Sequence, residues 1–202
     1  MKEKAIDKDK PRFINPMQLH NVISPIWQEF EEIEITGGGE PILHPEINDI
    51  INLFTGKYRK IYTNGFLLKY LPKFEEVNIS RVHWDSNINN TFYRSIFQNE
   101  LDDVINHYRR IAQKIRIQTI LLKGALDTKE KIMEFIERYE DKVDIFMFRT
   151  LFPKCKLEKD KFVPYPEGLK HPKIKLDATL DSYKRPLFFV NTDCMIHKTF
   201  KY

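Results

Sequence analysis

Residues 33–54, IEITGGGEPILHPEINDIINLF, constrain the fold more than any other stretch of this chain. Ile33 and Ile35 alternate with Glu32 and Glu34, the period of a strand. Gly37, Gly38 and Gly39 break that pattern, and Glu40 and Pro41 follow. Pro45 suits a first helical position, Ile47, Ile50, Ile51 and Phe54 recur at helical spacing, and Gly56 is placed to stop the helix. A strand that runs through glycines into a helix is the opening of a βα unit. Glycines at the C-terminal end of a buried strand let the backbone approach a ligand closely or adopt positive φ. In parallel sheets and barrels that end of the strand is where ligands sit.

The loop does not suit a phosphate. Neither GxxxxGK[ST] nor GxGxxG is present. A carboxylate, Glu40, follows the glycines directly, and carboxylates and carbonyls are acceptors that favour a cationic group such as an ammonium. From the residues alone, a plain strand-to-helix turn whose Glu favours the helix N-terminus is an equal alternative.

The chain on either side repeats the strand-then-helix theme. Residues 1–13 are charged. Asn15 and Pro16 form a helix start, and Leu19, Val22, Ile23, Ile26, Trp27 and Phe30 make an apolar stripe that Pro25 should interrupt. Lys60 to Thr63 reads as a strand ending in Asn64-Gly65, where Thr63 would hydrogen-bond locally. Glu76 to Ser80 is the next strand and runs into Arg81, His83 and Asp85; residues 86–98 read as a loop. Asn99 is a cap candidate for a helix carrying Leu101, Val104, Ile105, Tyr108, Ile111 and Ala112 on one face. Ile115 to Leu122 is a β-branched strand that ends at Lys123-Gly124. Asp127 or Thr128 caps a helix with Ile132, Phe135, Ile136 and Tyr139 inward, and Val143 to Leu151 is the fifth strand. Alternation of this kind predicts parallel βα units with right-handed crossovers. Beyond it, residues 154–161 form a polar linker, and 174–178, 187–190 and 195–200 read as antiparallel strands.

Composition narrows the class. With 42% hydrophobic and 31% charged residues in 202, the chain has enough apolar material for one cored domain, and no apolar run reaches the roughly 20 residues of a membrane span. The start MKEKAIDKDK lacks the apolar centre of a signal peptide, and two cysteines, Cys155 and Cys194, make a disulfide framework improbable, so a cytoplasmic protein is expected. Residues 154–202 hold 11 Lys/Arg against 6 Asp/Glu, and the remainder 22 against 23, so the excess charge lies in the tail. A solvated basic face is the ordinary reading of that tail, and no nucleic-acid-binding module stands out.

Several of these segments resemble one family in order. TGGGEPILHPE resembles the GGEP loop of radical S-adenosylmethionine enzymes; KIYTNGFLL resembles their third-strand TNG signature; VNISRVHWDS and LLKG resemble their fourth and fifth strands. The resemblance covers residues 31–153. It implies an incomplete parallel (β/α) barrel of the TIM-like type over residues 1–153, followed by a linker and a short antiparallel extension over 154–202. It further implies that Gly37, Gly38, Gly39, Glu40 and Pro41 receive the methionyl ammonium of S-adenosylmethionine, and that Thr63 and Ser80 lie beside the cofactor. His83, Asp85 and Lys123 are weaker candidates for substrate or acid–base contacts.

Such enzymes use a [4Fe–4S] cluster held by a CxxxCxxC loop to cleave S-adenosylmethionine to a 5′-deoxyadenosyl radical. This sequence has no CxxxCxxC and no counterpart of the first barrel strand. The expectation is therefore a fragment or split partner of a radical enzyme, served by a separate cluster-bearing polypeptide and acting on an unknown substrate such as a peptide or nucleotide. The alternatives are a cluster-free relative that binds cofactor, peptide or partner, and an unrelated α/β acid–base enzyme using His83 and Asp85. If iron were bound without cysteines, His20, His44 and His83 would be the first ligands to consider.

Overall fold

The structure is a computed structural model that describes residues 13–36, 39–93, 96, 99–149, 163–176, 187–190 and 196–199. Gly37, Gly38, Cys155, Cys194 and the linker at 154–161 lie outside the described residues.

The helix α1 (Pro16–Ile23) starts as its sequence dictates: Asn15 Oδ1 accepts from the Gln18 N–H at 3.0 Å, and Pro16 occupies the first turn, where a missing N–H costs nothing. Pro25 ends it, and the chain continues as a 3-10 turn over Ser24–Glu29. Trp27 stacks on Phe54 at 6.0 Å with Phe30 edge-on to both, a small apolar roof beside Leu19, Ile23 and Ile50. Lys57 Nζ donates to the carbonyls of Trp27 and Phe30 at 2.9 and 2.7 Å and fixes that turn.

Six strands follow: β1 (Glu32–Ile35), β2 (Tyr58–Thr63), β3 (Phe74–Ser80), β4 (Ala112–Ile120), β5 (Ile145–Arg149) and β6 (Ile174–Leu176). They lie in sequence order in one sheet, every neighbouring pair parallel. Adding each strand on the same side is the winding of a barrel; a doubly wound sheet reverses its order. The sheet stays open, because β1 and β6 do not pair. The helices α2 (Ile47–Leu53), α4 (Leu101–Arg109) and α5 (Lys129–Tyr139) bury their apolar stripes against one face of it. Ile61, Val77, Ile79, Ile115, Ile117 and Phe146 from the strands join Ile51, Val104, Ile105, Phe135 and Ile136 in one core, each 1% exposed or less. Among the described residues, no helix is long and apolar enough to cross a membrane.

Three local expectations are corrected. Residues 86–98 are not all loop, since α3 spans Ser86–Tyr93. Its start is set by Asp85, whose Oδ1 accepts from the N–H groups of Asn87 and Ile88 at 2.8 and 3.4 Å, and SNINNTFY is too polar for its periodicity to announce a helix. Helix α2 starts at Ile47, not at Pro45, because Pro41–Leu43 first makes a 3-10 turn. The strand at 174 is not antiparallel: Phe146, Met147 and Phe148 register with Ile174, Lys175 and Leu176, and β6 extends the main sheet. What fixes it is local. Phe146 N–H donates to the Lys173 carbonyl at 2.9 Å, His171 Nε2 meets Glu140 at 3.1 Å, and Lys173 Nζ donates to the carbonyls of Glu140 and Val143. The strands β7 (Leu187–Val190) and β8 (Ile196–Thr199) pair antiparallel, as expected of these two segments.

A fork at the start of the sheet makes one stability term pH-dependent. Arg59 Nε and Nη2 bind Glu75 Oε2 and Oε1 at 2.9 and 3.0 Å, and the Arg59 N–H adds a bond at 2.8 Å. Burial opposes the Glu75 charge, but these bonds outweigh it and hold its pKa below the ordinary carboxylate value. The unfolded chain therefore takes up the Glu75 proton more readily. The stabilisation is complete above the unfolded pKa of about 4.3 and is lost as pH falls through the lower folded value. Thermal melts across about pH 5 to 3 should fall more steeply for the native chain than for Glu75→Gln. Parallel slopes would remove the fork from the acid response.

Candidate functional site

At the C-terminal ends of β1, β2 and β3, short turns are tied together through side chains. Glu40 is the first tie. Its Oε1 accepts from the Ile42 N–H at 3.2 Å, capping the turn at Pro41–Leu43, and its Oε2 accepts from the Asn64 N–H at 2.7 Å. The loop after β1 is thus bound to the Thr63-Asn64-Gly65 turn after β2. Burial raises the Glu40 pKa, while hydrogen bonds from Asn64, Thr63 and Ile42 act in the opposite direction. Glu40 keeps lone pairs for a ligand, but its first role is to position the loop. Among the described residues, nothing lies within 4 Å of the point where a side chain on Gly39 would begin.

Thr63 is 2% exposed, and its Oγ1 accepts from the Gly65 N–H at 3.1 Å. Asn64 Oδ1 accepts from the Phe66 N–H at 2.8 Å, the local closure that an Asn-Gly turn makes. Asn99, expected as a helix cap, instead donates from Nδ2 to the carbonyls of Gly65 and Phe66 at 3.2 and 2.9 Å, and Glu100 takes the cap position of α4. The Asn99 carbonyl accepts from Arg81 Nη2 at 3.1 Å and Ser86 Oγ at 3.3 Å. Arg81 is fully buried, and that burial lowers its pKa. A buried guanidinium behind the turn joins β3, α3 and the Thr63–Gly65 turn; the sequence marked Arg81 only as a strand-end residue.

Ser80 lies elsewhere. Thr63 registers with Ile79, so Thr63 is on the helix-covered face and Ser80 is on the opposite one. The structure brings Thr63 together with Glu40, and Ser80 with Asn78 and Gln118.

The opposite face is largely polar from β1 to β4, whereas β5 presents Ile145 and Met147 on it. Glu34, Lys60, Glu76 and Lys114 stand side by side across four strands, and Tyr62, Asn78 and Arg116 form the next row toward the C-terminal ends. Lys60 Nζ lies 2.5 Å from Glu32 and 3.8 Å from Glu34. Glu76 accepts from Tyr58, Asn78 and Arg116 at 3.1, 3.3 and 2.8 Å. The signal was in the sequence: KYRKIYT and KIRIQT alternate polar with buried residues, whereas a strand covered on both faces reads as a continuous apolar run.

The histidines are engaged in structure. His44 Nδ1 accepts from the Glu46 N–H at 3.0 Å, so Nε2 carries the proton it donates to the Ile14 carbonyl at 2.9 Å. His83 Nδ1 accepts from the Asp85 N–H at 3.0 Å, its ring stacks on Trp84 at 3.9 Å, and burial lowers its pKa. Asp85 is the α3 cap. The two residues meet through a backbone N–H and not as a carboxylate–imidazole pair. Lys123 is exposed on the turn after β4. Among the described residues, no three His, Cys, Asp or Glu side chains gather in a group able to hold a metal ion. A [4Fe–4S] cluster therefore has no ligand set among them, and no step through one is assigned to these residues.

Comparison with known proteins gives a fold. No family model matches the chain, and no curated protein matches it. Among solved structures, Streptococcus suis SuiB bound to its precursor peptide SuiA is similar over 72% of this chain at 19% identity and a TM-score of 0.53. SuiB alone is similar over 79% at 17% identity with a TM-score of 0.56, and SuiB bound to S-adenosylmethionine over 76% at 19% with a TM-score of 0.52. The chain spans only 34–38% of the length of these SuiB chains. At such identity the likeness is one of fold: an open parallel α/β sheet.

Proposed function

We propose that this chain is the cofactor-binding part of a radical S-adenosylmethionine-type protein, with the loop of Gly37 to Pro41 receiving the methionyl ammonium. The observation that carries the reading is the Glu40 tie to the Asn64 N–H. It ties Glu40 to the turn after β2, and no described residue lies within 4 Å of a Cβ on Gly39, at the C-terminal ends of parallel strands. Carbonyls and a carboxylate are the acceptors an ammonium requires. The likeness to SuiB, solved with S-adenosylmethionine, supports the same ligand, and the SuiB–SuiA complex supports a peptide as substrate class.

Bound S-adenosylmethionine would supply a reactive sulfonium. This chain's part is to orient it: Gly39 leaves room at the backbone, Glu40 fixes the loop, and Ser80 offers a hydroxyl on the polar face. Three thiolates for a cluster are not available from two cysteines, so the cluster belongs to another segment or polypeptide in this reading.

Gly39→Ala tests it directly. The added methyl meets no atom of the described residues within 4 Å, so the melting temperature should stay unchanged. If the ligand approaches the backbone there, calorimetric affinity for S-adenosylmethionine should drop by about 1–3 kcal/mol, the usual cost of overpacking. Unchanged affinity in a folded variant would leave the loop as a plain turn.

A further inference from the structure

We infer that Asn99 is a positioning residue of the candidate site: through the turn after β2 it keeps Glu40 ionised and aimed, and so sets the pH range in which the loop takes an ammonium. The inference rests on the reading of Gly37 to Pro41 as an ammonium receptor, but the step from Asn99 to Glu40 can be measured with no ligand present.

Glu40 depends on a turn to which it does not belong. The Ile42 N–H that favours its charge comes from its own loop, whereas the Asn64 N–H and the Thr63 hydroxyl come from the turn after β2. That turn presents the carbonyls of Gly65 and Phe66, and Asn99 Nδ2 donates to both, at 3.2 and 2.9 Å. A primary amide suits the task, since one nitrogen carries two N–H groups and brings no charge to desolvate. Asn99 is a favoured residue type for a helix cap, yet its amide serves the turn and Glu100 takes the cap of α4. Its backbone is fixed from two sides. Arg81, which follows β3, and Ser86, which opens α3, both donate to the Asn99 carbonyl.

The electrostatics follow from that linkage. Burial favours the protonated form of Glu40, and the donors of the turn oppose burial. Release of the turn removes their share, so Glu40 keeps its proton to higher pH. A protonated Glu40 offers an ammonium no opposite charge. Among the described residues, the titratable side chains that face Glu40 are the Tyr93 phenol of α3 and the Tyr108 phenol of α4. Burial raises both, Tyr93 to about 12, so neither changes charge where a carboxyl titrates. The Arg81 charge is held on the Asn99 carbonyl, a main-chain group that every Asn99 variant retains.

Two variants test it. Asn99→Ala removes both donors, and Asn99→Leu removes them while keeping the bulk of the side chain. Asn99 is half-buried outside the core, so both should fold. The first readout is carbon-detected NMR of the ligand-free chain, with the Glu40 carboxyl assigned from Glu40→Gln. Glu40 should titrate at higher pH in both variants than in the native chain. The second is calorimetry with S-adenosylmethionine. Below neutral pH both variants should bind about tenfold more weakly, the effect of one lost hydrogen bond to a charged group, and the gap should narrow toward neutral pH. A merely structural Asn99 would lower affinity equally at every pH and leave the Glu40 titration in place, which overturns the proposal. A titration that moves in Asn99→Ala but not in Asn99→Leu also overturns it, by assigning the effect to bulk. A moved titration in a chain that binds no S-adenosylmethionine upholds the step from Asn99 to Glu40 and overturns the ammonium reading instead.

Discussion

Replacing Glu76 by alanine is expected to cost about 3–5 kcal/mol of stability, the range for breaking a buried ion pair from one side. Glu76 is 3% exposed in the middle of the sheet and serves three donors, the Tyr58 phenol, the Asn78 amide and the Arg116 guanidinium. Removing it leaves the Arg116 charge, whose side chain is 14% exposed, without an anion. It also strands Asn78, whose buried Oδ1 has no hydrogen-bond partner among the described residues. Urea unfolding measures the loss. A second readout separates lost charge from lost packing. Burial, followed by the Glu76 charge, pushes the Tyr58 phenol up to about 12, and it should titrate lower in the alanine variant. The paired replacement Glu76→Met with Arg116→Met should regain most of the stability, because it removes both charges at once. A loss below about 1 kcal/mol for Glu76→Ala would show that water reaches the pair and screens it.

That row of charges also shows where the sequence was legible and where it was not. The five strands from Glu32 to Arg149 and the inward faces of α2, α4 and α5 follow from hydrophobic period alone, because Ile47, Ile50 and Ile51, or Ile132, Phe135 and Ile136, have no other way to be buried together. Period could not reveal α3, whose start is set by one carboxylate, Asp85, and whose length carries few apolar residues. It could not give the direction of β6 either, since three residues of alternating pattern look alike in parallel and antiparallel ladders; the Lys173 and His171 contacts that orient it are tertiary. At the site, the residue types of the Gly39–Glu40–Pro41 and Thr63–Asn64–Gly65 turns were readable, but not their coupling. Only the fold shows that one Glu40 oxygen closes its own turn and the other reaches 24 residues along the chain. The separation of Thr63 from Ser80 was in principle available. Once the strands are parallel and in register, a one-position offset places the two hydroxyls on opposite faces.

Gly65→Ala should destabilise the chain by about 2–4 kcal/mol, by adding backbone strain to a clash. Gly65 has φ of +71°, where a side chain is strained in any surroundings. Its surroundings are also closed. A Cβ would stand 2.8 and 2.9 Å from the two methyls of Val104 and 3.3 Å from Arg81 Nη2. Val104 is fully buried in α4, and a β-branched side chain in a helix has essentially one rotamer, so it cannot turn aside. Gly56 provides the control. Its φ is +91°, but no described residue lies within 4 Å of its Cβ position, so Gly56→Ala should show the strain alone, about 1 kcal/mol. Combining Gly65→Ala with Val104→Ala should recover part of the clash, giving a favourable coupling of about 1 kcal/mol or more in a double-mutant cycle. The site should respond as well. The Gly65 N–H holds Thr63, the Gly65 carbonyl accepts from Asn99, and the adjoining Asn64 N–H holds Glu40. A shift of this turn therefore moves the loop after β1, and Gly65→Ala should weaken S-adenosylmethionine binding where Gly56→Ala does not. Equal melting temperatures for the two alanine variants would mean that α4 yields to the added methyl, and that the turn after β2 is not held by packing against Val104.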